Sequence, residues 1–291
     1  MPASCEGILV VDKPAGLTSR EAVDRAQRWF PRRTRVGHAG TLDPLATGVL
    51  VLAVGRATRL IEYVQRMSKT YRAEIGLGAR SDTDDVDGTI TPVPVGQVPS
   101  RAVVEAALAR FVGDIEQVPP RFSATRIAGR RAYDLARHGA DVDLVPRRVR
   151  IEAIRILDYA YPRLEVEVQC GKGTYIRSLA RDLGEALGCG GLIRQLRRTQ
   201  VGPFTVTDAL SLDADAATAQ AALLPLIAAV SELPSITLSS PEIERLVHGQ
   251  GVAARVAEAE EWAVLDGQGH LRAVARWEPA RKQLMPVKVL T

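Results

Sequence analysis

The most restrictive segment of this chain is residues 37–48, which read GHAGTLDPLATG. It places one carboxylate, Asp43, before a proline and among glycines and small side chains. Pro44 fixes its own φ angle and disfavours the α conformation at Asp43, so this aspartate is predicted to lie on a turn or an extended segment. Glycines without a Cβ let the backbone approach a ligand closely. An aspartate held in this way is a candidate nucleophile or base, although an Asp-Pro pair alone is more often a plain turn.

The composition is that of a soluble globular protein, with 291 residues of which 46% are hydrophobic and 25% charged. This length is sufficient for one large domain, or for a large domain and a small one. The net charge of +4 and the pI of about 9.1 permit a nucleic-acid partner without requiring one.

Three cysteines at positions 5, 170 and 189 form no CxxC pair and are odd in number, so no disulfide framework is expected. The apolar run at residues 7–11 is too short for a signal sequence or a membrane span. We therefore expect a cytoplasmic protein without a membrane anchor. The scattered histidines and cysteines have no zinc-ligand spacing, and no metal is expected.

Apolar runs and alternation predict strands at residues 8–11, 49–54, 71–77 and 164–170. Ser19 and Ser100 are candidate N-caps, the first for a helix that extends to Trp29 and the second for a helix stopped by Gly113, with Val112 on its apolar face. A further helix is predicted between the turn at residues 171–173 and Gly188. Strands separated by helices and hairpins indicate an α+β or mixed fold rather than a repeated βαβ pattern.

Several separate motifs in this chain closely resemble those of the TruB family, the bacterial tRNA pseudouridine synthases that isomerise the T-loop uridine conventionally numbered 55. Motifs in a fixed order are far more specific than one short pattern, and these cover roughly residues 7 to 210 in the family's order. They are ILVVDKPAGLTS at 8–19, GHAGTLDPLATG at 37–48, KTYRA at 69–73, GDIEQVPP at 113–120, GTYIRSL at 173–179 and LRRT at 196–199.

The resemblance implies a largely antiparallel central sheet with flanking helices in a catalytic domain at residues 1–232. It also implies a small β-rich PUA-like RNA-binding domain at residues 233–291, where a hairpin signal is centred on residues 266–269. The arginine-rich, weakly patterned residues 120–150 suggest an inserted segment that grips RNA. No cofactor is implied, because the isomerisation exchanges no electrons.

By the same resemblance, Asp43 is the catalytic nucleophile, Arg177 is its charged partner and Tyr71 is the active-site tyrosine. A phenol can stack on the target uracil and can also donate or accept a proton. The uridine must leave its base stack to reach Asp43, at a cost of a few kcal/mol. Arg177 lies outside the apolar stripe of its predicted helix.

Further residues are expected to bind the RNA. His38 matches the histidine that helps hold the T loop open, while Lys13 and Leu196 match positions near the aspartate and under the target ring. Arginines in two clusters are candidate phosphate contacts. They are Arg147, Arg148, Arg150, Arg194, Arg197 and Arg198.

Two other motifs are rejected. The acidic run at residues 82–88 fails as a calcium loop because Pro94 stands where a bidentate glutamate should be, so an acidic surface turn is predicted instead. The GKGT sequence at residues 171–174 lacks the upstream glycine of a phosphate-binding P-loop.

Three functional interpretations remain open on these residues. The chain is a stand-alone, monomeric tRNA enzyme acting on the T stem-loop, the catalytic subunit of a guide-RNA complex, or an RNA-binding or RNA-folding module. Its compact length and the segment at residues 120–150 favour the stand-alone enzyme. Activity on tRNA without guide RNA or other proteins separates the first two.

Overall fold

The computed structural model describes residues 5–122, 126–127, 130–131, 144–254 and 259–290. The strands are Gly7–Lys13 (β1), Val36–His38 (β2), Thr47–Val54 (β3), Lys69–Leu77 (β4), Ala79–Ser81 (β5), Ile90–Pro92 (β6), Gly113–Gln117 (β7), Arg126–Ile127 (β8), Arg130–Arg131 (β9), Arg147–Ala160 (β10), Arg163–Cys170 (β11), Gly191–Val201 (β12), Phe204–Thr205 (β13), Leu210–Ser211 (β14), Ser235–Thr237 (β15), Val252–Ala253 (β16), Glu261–Leu265 (β17), Leu271–Glu278 (β18) and Gln283–Val289 (β19). The α-helices are Ser19–Ala26 (α1), Ile61–Arg66 (α2), Arg101–Ala109 (α3), Ile176–Ala186 (α4), Ala216–Ala221 (α5) and Ser240–Val247 (α6).

A ten-stranded mixed sheet forms the centre of the protein. Eight strands follow the order β14-β1-β3-β12-β4-β11-β10-β7; in addition, β2 pairs with β3 and β13 pairs with β12. Most neighbours in it are antiparallel, while β1 pairs with β14 and β3 with β12 in parallel. The central strands have apolar side chains on both faces and are almost wholly buried, as in β3. The predicted mixed fold and its largely antiparallel sheet are confirmed.

The first helix shows how local sequence positions the loop that contains Asp43. Thr18, not the predicted Ser19, is the N-cap of α1, and it forms a capping box with Glu21. The helix ends at Ala26, and a short 3-10 turn continues to Trp29. Ser19 instead exchanges hydrogen bonds with the backbone of Leu42, at 2.8 and 3.1 Å, and so fixes the residue before Asp43.

Helix α3 begins as predicted, since the Ser100 side chain accepts a hydrogen bond from Val103 N. It ends earlier than the prediction at Ala109, and Val112 is exposed rather than part of the apolar face. Helix α4 follows the predicted Gly171–Gly173 turn, with Ile176, Leu179, Ala180 and Leu183 buried against the sheet.

A second, five-stranded sheet is formed by the C-terminal part of the chain, in the order β15-β17-β18-β19-β16. The predicted hairpin is present, because β17 and β18 are antiparallel around residues 266–270. This sheet shares an apolar cluster with the helical segment at residues 55–66; the cluster contains Leu271 and Val274 of β18 together with Ala57 and Val64. The junction also includes an ion pair of 2.8 Å between Lys288 and Glu62.

The three cysteines are free thiols, two of them buried. Within the described ranges, no helix is long and apolar enough to cross a membrane. Most of the expected insertion, namely residues 123–125, 128–129 and 132–143, lies outside the described residues.

Candidate active site

A cavity of about 370 Å³ opens where the loop between β2 and β3 faces β4, β12 and the start of α4. Asp43, Tyr71, Arg177 and Leu196 all line it, although they come from four distant parts of the sequence. Two of the predicted arginines, Arg147 and Arg198, line it as well, so the structure brings together six of the predicted residues. His38 ends β2, opposite Leu52 of β3, and does not line the cavity.

Asp43 lies on a tethered turn. Its own carbonyl accepts a hydrogen bond from Ala46 N at 3.0 Å, and the next carbonyl, of Pro44, accepts one from Gly16 N at 2.8 Å. With the Ser19 contacts to Leu42, backbone groups on both sides of Asp43 are held. Its side chain is 33% exposed, so one carboxylate remains accessible from the cavity.

Arg177 is almost completely buried, with a side chain only 4% exposed, and it contacts two carboxylates. Its Nε lies 2.9 Å from Asp43 Oδ2, and its Nη1 lies 3.2 Å from Asp85 Oδ2. Nη1 and Nη2 also donate to the carbonyls of Thr83 and Phe122, each at 2.9 Å. The hydrogen bonds of Nη1 and Nη2 and the ion-pair contacts with both aspartates restrict the orientation of the guanidinium and place Nε beside Asp43.

Burial raises the pKa of Asp43 above its ordinary value, because desolvation disfavours the charged carboxylate. The guanidinium of Arg177 opposes this increase, and the carboxylate of Asp85 adds to it. Ionisation of Asp43 therefore depends on its ion pair with Arg177.

The acidic run forms the predicted turn, with Asp82 and Asp87 exposed, but two of its aspartates are not at the surface. Asp84 and Asp85 are buried, and each pairs with an arginine of α4: Asp85 with Arg177, and Asp84 with Arg181 at 2.9 Å. Burial raises the pKa of Asp84 to about 6, against the opposing charge of Arg181. The sequence contains a signal for these two ion pairs: adjacent aspartates in the acidic run, and two arginines four residues apart on the predicted helix, where they share one face. Only the fold shows that the acidic run and the helix meet.

Tyr71 lines the cavity from β4, opposite Arg198 of β12 in the strand register. Burial raises the pKa of its phenol. Arg198 is only 1% exposed; its Nε donates to Val49 O at 2.7 Å and its Nη2 to Gly40 O at 3.2 Å. Arg198 nevertheless lines the cavity, so its contact with the substrate stays a prediction. It is an internal cation that connects β3, the Asp43 loop and the edge of the cavity.

Lys13 is fully buried and does not line the cavity, and its role in substrate binding stays a prediction. Its Nζ donates to the carbonyls of Pro14, Leu17 and Pro44 at 2.9, 2.7 and 3.3 Å. The side chain thereby joins the end of β1 to the residue after Asp43. Desolvation lowers the pKa of Lys13 to about 8, although the charge of Asp43 opposes this.

Lys13→Met is expected to weaken the pH dependence of stability. The unfolded lysine titrates near 10.5 and the folded one near 8; between these pH values the unfolded state binds more protons, so stability rises with pH. Lys69, with its pKa similarly lowered to about 8, should retain part of the effect. Urea unfolding at several pH values from 8 to 10.5 measures how the free energy of unfolding changes with pH. If Lys13→Met shows the same change with pH as the wild type, the lowered pKa of Lys13 is contradicted.

The remaining predicted arginines are near the surface. Arg147 is exposed and lines the cavity. Arg148 and Arg150 lie 3.2 and 3.6 Å from Asp114, and Arg197 forms two contacts with Asp12, at 2.7 and 3.1 Å. Of these arginines, Arg147 is the one placed to meet a ligand in the cavity.

Lys69 lines the cavity, although no function was predicted for it from the KTYRA motif to which it belongs. It is buried, and its Nζ donates to Gln65 O at 2.6 Å and to Met67 O. Lys172 also lines the cavity, from the turn before α4. In the part of the chain that the structure describes, no group of three or more His, Cys, Asp or Glu side chains could hold a metal ion.

Comparison with known proteins gives matches over most of the chain. Residues 28–176 match the TruB family pseudouridylate synthase N-terminal domain, and residues 177–230 match the tRNA pseudouridylate synthase B C-terminal domain. The chain is 41% identical to a tRNA pseudouridine synthase B of Dehalococcoides mccartyi over 95% of this chain and 96% of that protein. It is 44% identical to the protein of the same name from Cereibacter sphaeroides over 90% of each.

Solved structures show the same fold. A Cbf5-Nop10-Gar1 complex contains a chain that superposes with a TM-score of 0.75 at 25% identity, covering 98% of this chain and 85% of that one. An H/ACA RNP bound to a substrate RNA containing 2′-deoxyuridine gives the same TM-score at 23% identity, covering 99% and 86%.

Proposed function

This chain belongs to the TruB family of tRNA pseudouridine synthases, and from that premise we propose that it isomerises the T-loop uridine at position 55 with Asp43 as the nucleophile. The observation that supports this most strongly is the contact of 2.9 Å between Asp43 and the buried Arg177, inside the cavity that Tyr71 and Leu196 also line.

The reaction breaks the bond between N1 and C1′, forms a bond between C5 and C1′, and releases the proton on C5. Attack at C1′, attack at C6 and a glycal route each require an ionised carboxylate near the sugar and base. Arg177 favours the ionised form of Asp43, because an opposite charge within hydrogen-bonding distance offsets the desolvation of a carboxylate. Arg177 thus maintains the reactive form.

Tyr71 and Leu196 supply the surfaces for the flipped base. Both line the cavity and are largely buried, so an inserted uracil gains contact with an aromatic ring and an aliphatic side chain. Because burial raises the pKa of Tyr71, its phenol enters the reaction protonated and serves as a hydrogen-bond donor.

The proposed RNA partner is the T stem-loop of tRNA, bound by a monomer. Arg147 and Lys172 place positive charge at the cavity, where phosphates of a flipped nucleotide are expected. We assign residues 1–232 to the catalytic domain and residues 233–291 to a PUA-like RNA-binding domain. The five-stranded sheet that begins at Ser235 supports this division.

Tritium release from a T-arm stem-loop RNA carrying C5-tritiated uridine tests the proposal. The purified protein, without guide RNA or other proteins, is expected to release one equivalent from the wild-type loop. It should release none when cytidine replaces the target uridine. Release from other uridines would overturn the T-loop assignment. No release despite RNA binding would favour a guide-dependent subunit or a binding module.

Asp85→Asn is expected to lower the single-turnover rate about 10- to 100-fold, because displacement of a reacting group by about 1 Å has costs of this size. The amide keeps the volume but loses the charge that orients Arg177. RNA affinity should change by less than about twofold, since Asp85 does not line the cavity.

Asp87→Asn is the matched control, because Asp87 is an exposed acid two residues further along the same turn. It should keep the wild-type rate. Equal rates for both variants would show that Asp85 does not orient Arg177.

A further inference from the structure

We infer that Gln117 is a positioning residue for this reaction: it fixes the start of α4 and, through that helix, the guanidinium of Arg177. This inference rests on the proposed role of Arg177. Gln117 belongs to the GDIEQVPP motif at residues 113–120, to which neither the sequence nor the proposed chemistry has assigned a role.

The side chain of Gln117 binds both backbone groups of one residue. It is the last residue of β7 and is only 2% exposed. Its Oε1 accepts a hydrogen bond from Tyr175 N at 2.8 Å, and its Nε2 donates one to Tyr175 O at 3.1 Å. A buried amide that satisfies the N–H and the C=O of the same distant residue determines where that residue lies.

Tyr175 is the N-cap of α4, and its own side chain accepts no capping hydrogen bond from the first turn of the helix. Its carbonyl also accepts the first helical bond, from Leu179 N at 3.1 Å. In a capping box, the side chain three residues into the helix accepts from the N-cap N–H. Here the side chain that accepts from the N-cap N–H is Gln117, which belongs to β7 and not to the helix. The start of α4 is therefore hydrogen-bonded to the edge strand of the central sheet. Arg177 follows two residues later.

The chain after Gln117 continues this attachment. We call residues 117–122 the strap. Val118 O accepts hydrogen bonds from Ser178 Oγ and Arg181 Nη2, both at 2.8 Å, and Phe122 O accepts from Arg177 Nη2 at 2.9 Å. Between them are two buried prolines, whose rings fix φ and remove backbone donors. The strap thus holds α4 at its first residues and also contacts Arg177 directly.

Gln117→Leu tests the inference, because leucine fills a similar space without either hydrogen bond. The single-turnover rate of tritium release is expected to fall about 10- to 100-fold, with tRNA affinity within about twofold of wild type. Glu116→Gln is the matched control, because Glu116 precedes Gln117 on β7 but is exposed. Its rate should stay within about threefold of wild type.

A double-mutant cycle separates positioning from general loss of structure. In an Arg177→Lys background, Gln117→Leu should lower the rate by less than about threefold, because the group that it positions is already displaced. A wild-type rate for Gln117→Leu, or full additivity with Arg177→Lys, would overturn the inference. If Gln117→Leu does not fold, Gln117→Glu, which keeps the acceptor but loses the donor, enters the same cycle with the same criteria.

The two proposals fail in different ways. A wild-type protein that releases no tritium from the T-arm RNA contradicts the proposed function before any variant is compared. A wild-type protein that is active, with Gln117→Leu equally active, contradicts only the positioning role.

Discussion

Asp43→Asn is expected to abolish tritium release, lowering the single-turnover rate by at least about 10⁴-fold, as removal of a catalytic nucleophile does. The amide keeps the size of the side chain and the shape of the cavity, but it cannot ionise. RNA binding should remain within about threefold of wild type, because one carboxylate contributes little to an interface dominated by phosphate contacts. Filter binding and rapid-quench assays on the same RNA measure both quantities.

An exposed aspartate on α1 provides the control for this variant. Asp24 forms a surface ion pair with Arg20, and Asp24→Asn should leave the rate and the affinity unchanged. A residual rate above about 1% of wild type in Asp43→Asn, with the amide shown intact by mass spectrometry, would mean that another group attacks the substrate.

Arg177→Lys is expected to lower the rate about 10²- to 10³-fold, the cost of losing an oriented charged donor in a buried site. Lysine keeps the positive charge but cannot contact Asp43, Asp85 and two carbonyls with a planar fork. Because Arg177 lowers the pKa of Asp43, a weaker contact raises that pKa. The rate of the variant should therefore rise with pH at a higher midpoint than the wild-type rate.

Single-turnover rates measured between pH 5 and 9 test this expectation. Arg181→Lys is the control, since Arg181 lies one helical turn further along α4 and pairs with Asp84 rather than Asp43. Its pH midpoint should match that of wild type. A reduced rate in Arg177→Lys with no shift in the midpoint would show that Arg177 acts on the substrate and not on the ionisation of Asp43.

Local chemistry was sufficient to predict four strands of the central sheet and the turn that bears Asp43. Alternation in residues 164–170 identifies a half-buried strand, and the restriction that Pro44 imposes on Asp43 predicts its turn. These features depend on neighbours within a few residues, and they could be read without knowledge of the fold. The motifs resembling one family then brought together Asp43, Tyr71, Arg177 and Leu196, which the structure places around a single cavity.

The burial of several charged residues was not predicted. Lys13 and Arg198 were expected to contact the substrate, and in the structure the first donates to three backbone carbonyls and the second to two, away from solvent. Asp85 looked like part of a surface turn, but it is a buried partner of Arg177. A charged side chain is normally exposed unless a partner compensates its desolvation.

The sequence by itself determined the strands at residues 8–11, 49–54, 71–77 and 164–170, and which aspartate stands on a restrained turn, because those properties arise from neighbouring residues. Only the tertiary structure decided which charges are buried. Arg177 and Asp85 come from different elements, and each loses its hydration in exchange for the other's charge. Arg177 also donates to the carbonyls of Thr83 and Phe122. Burial of a charge depends on the partner that the fold brings to it, and sequence spacing does not specify that partner.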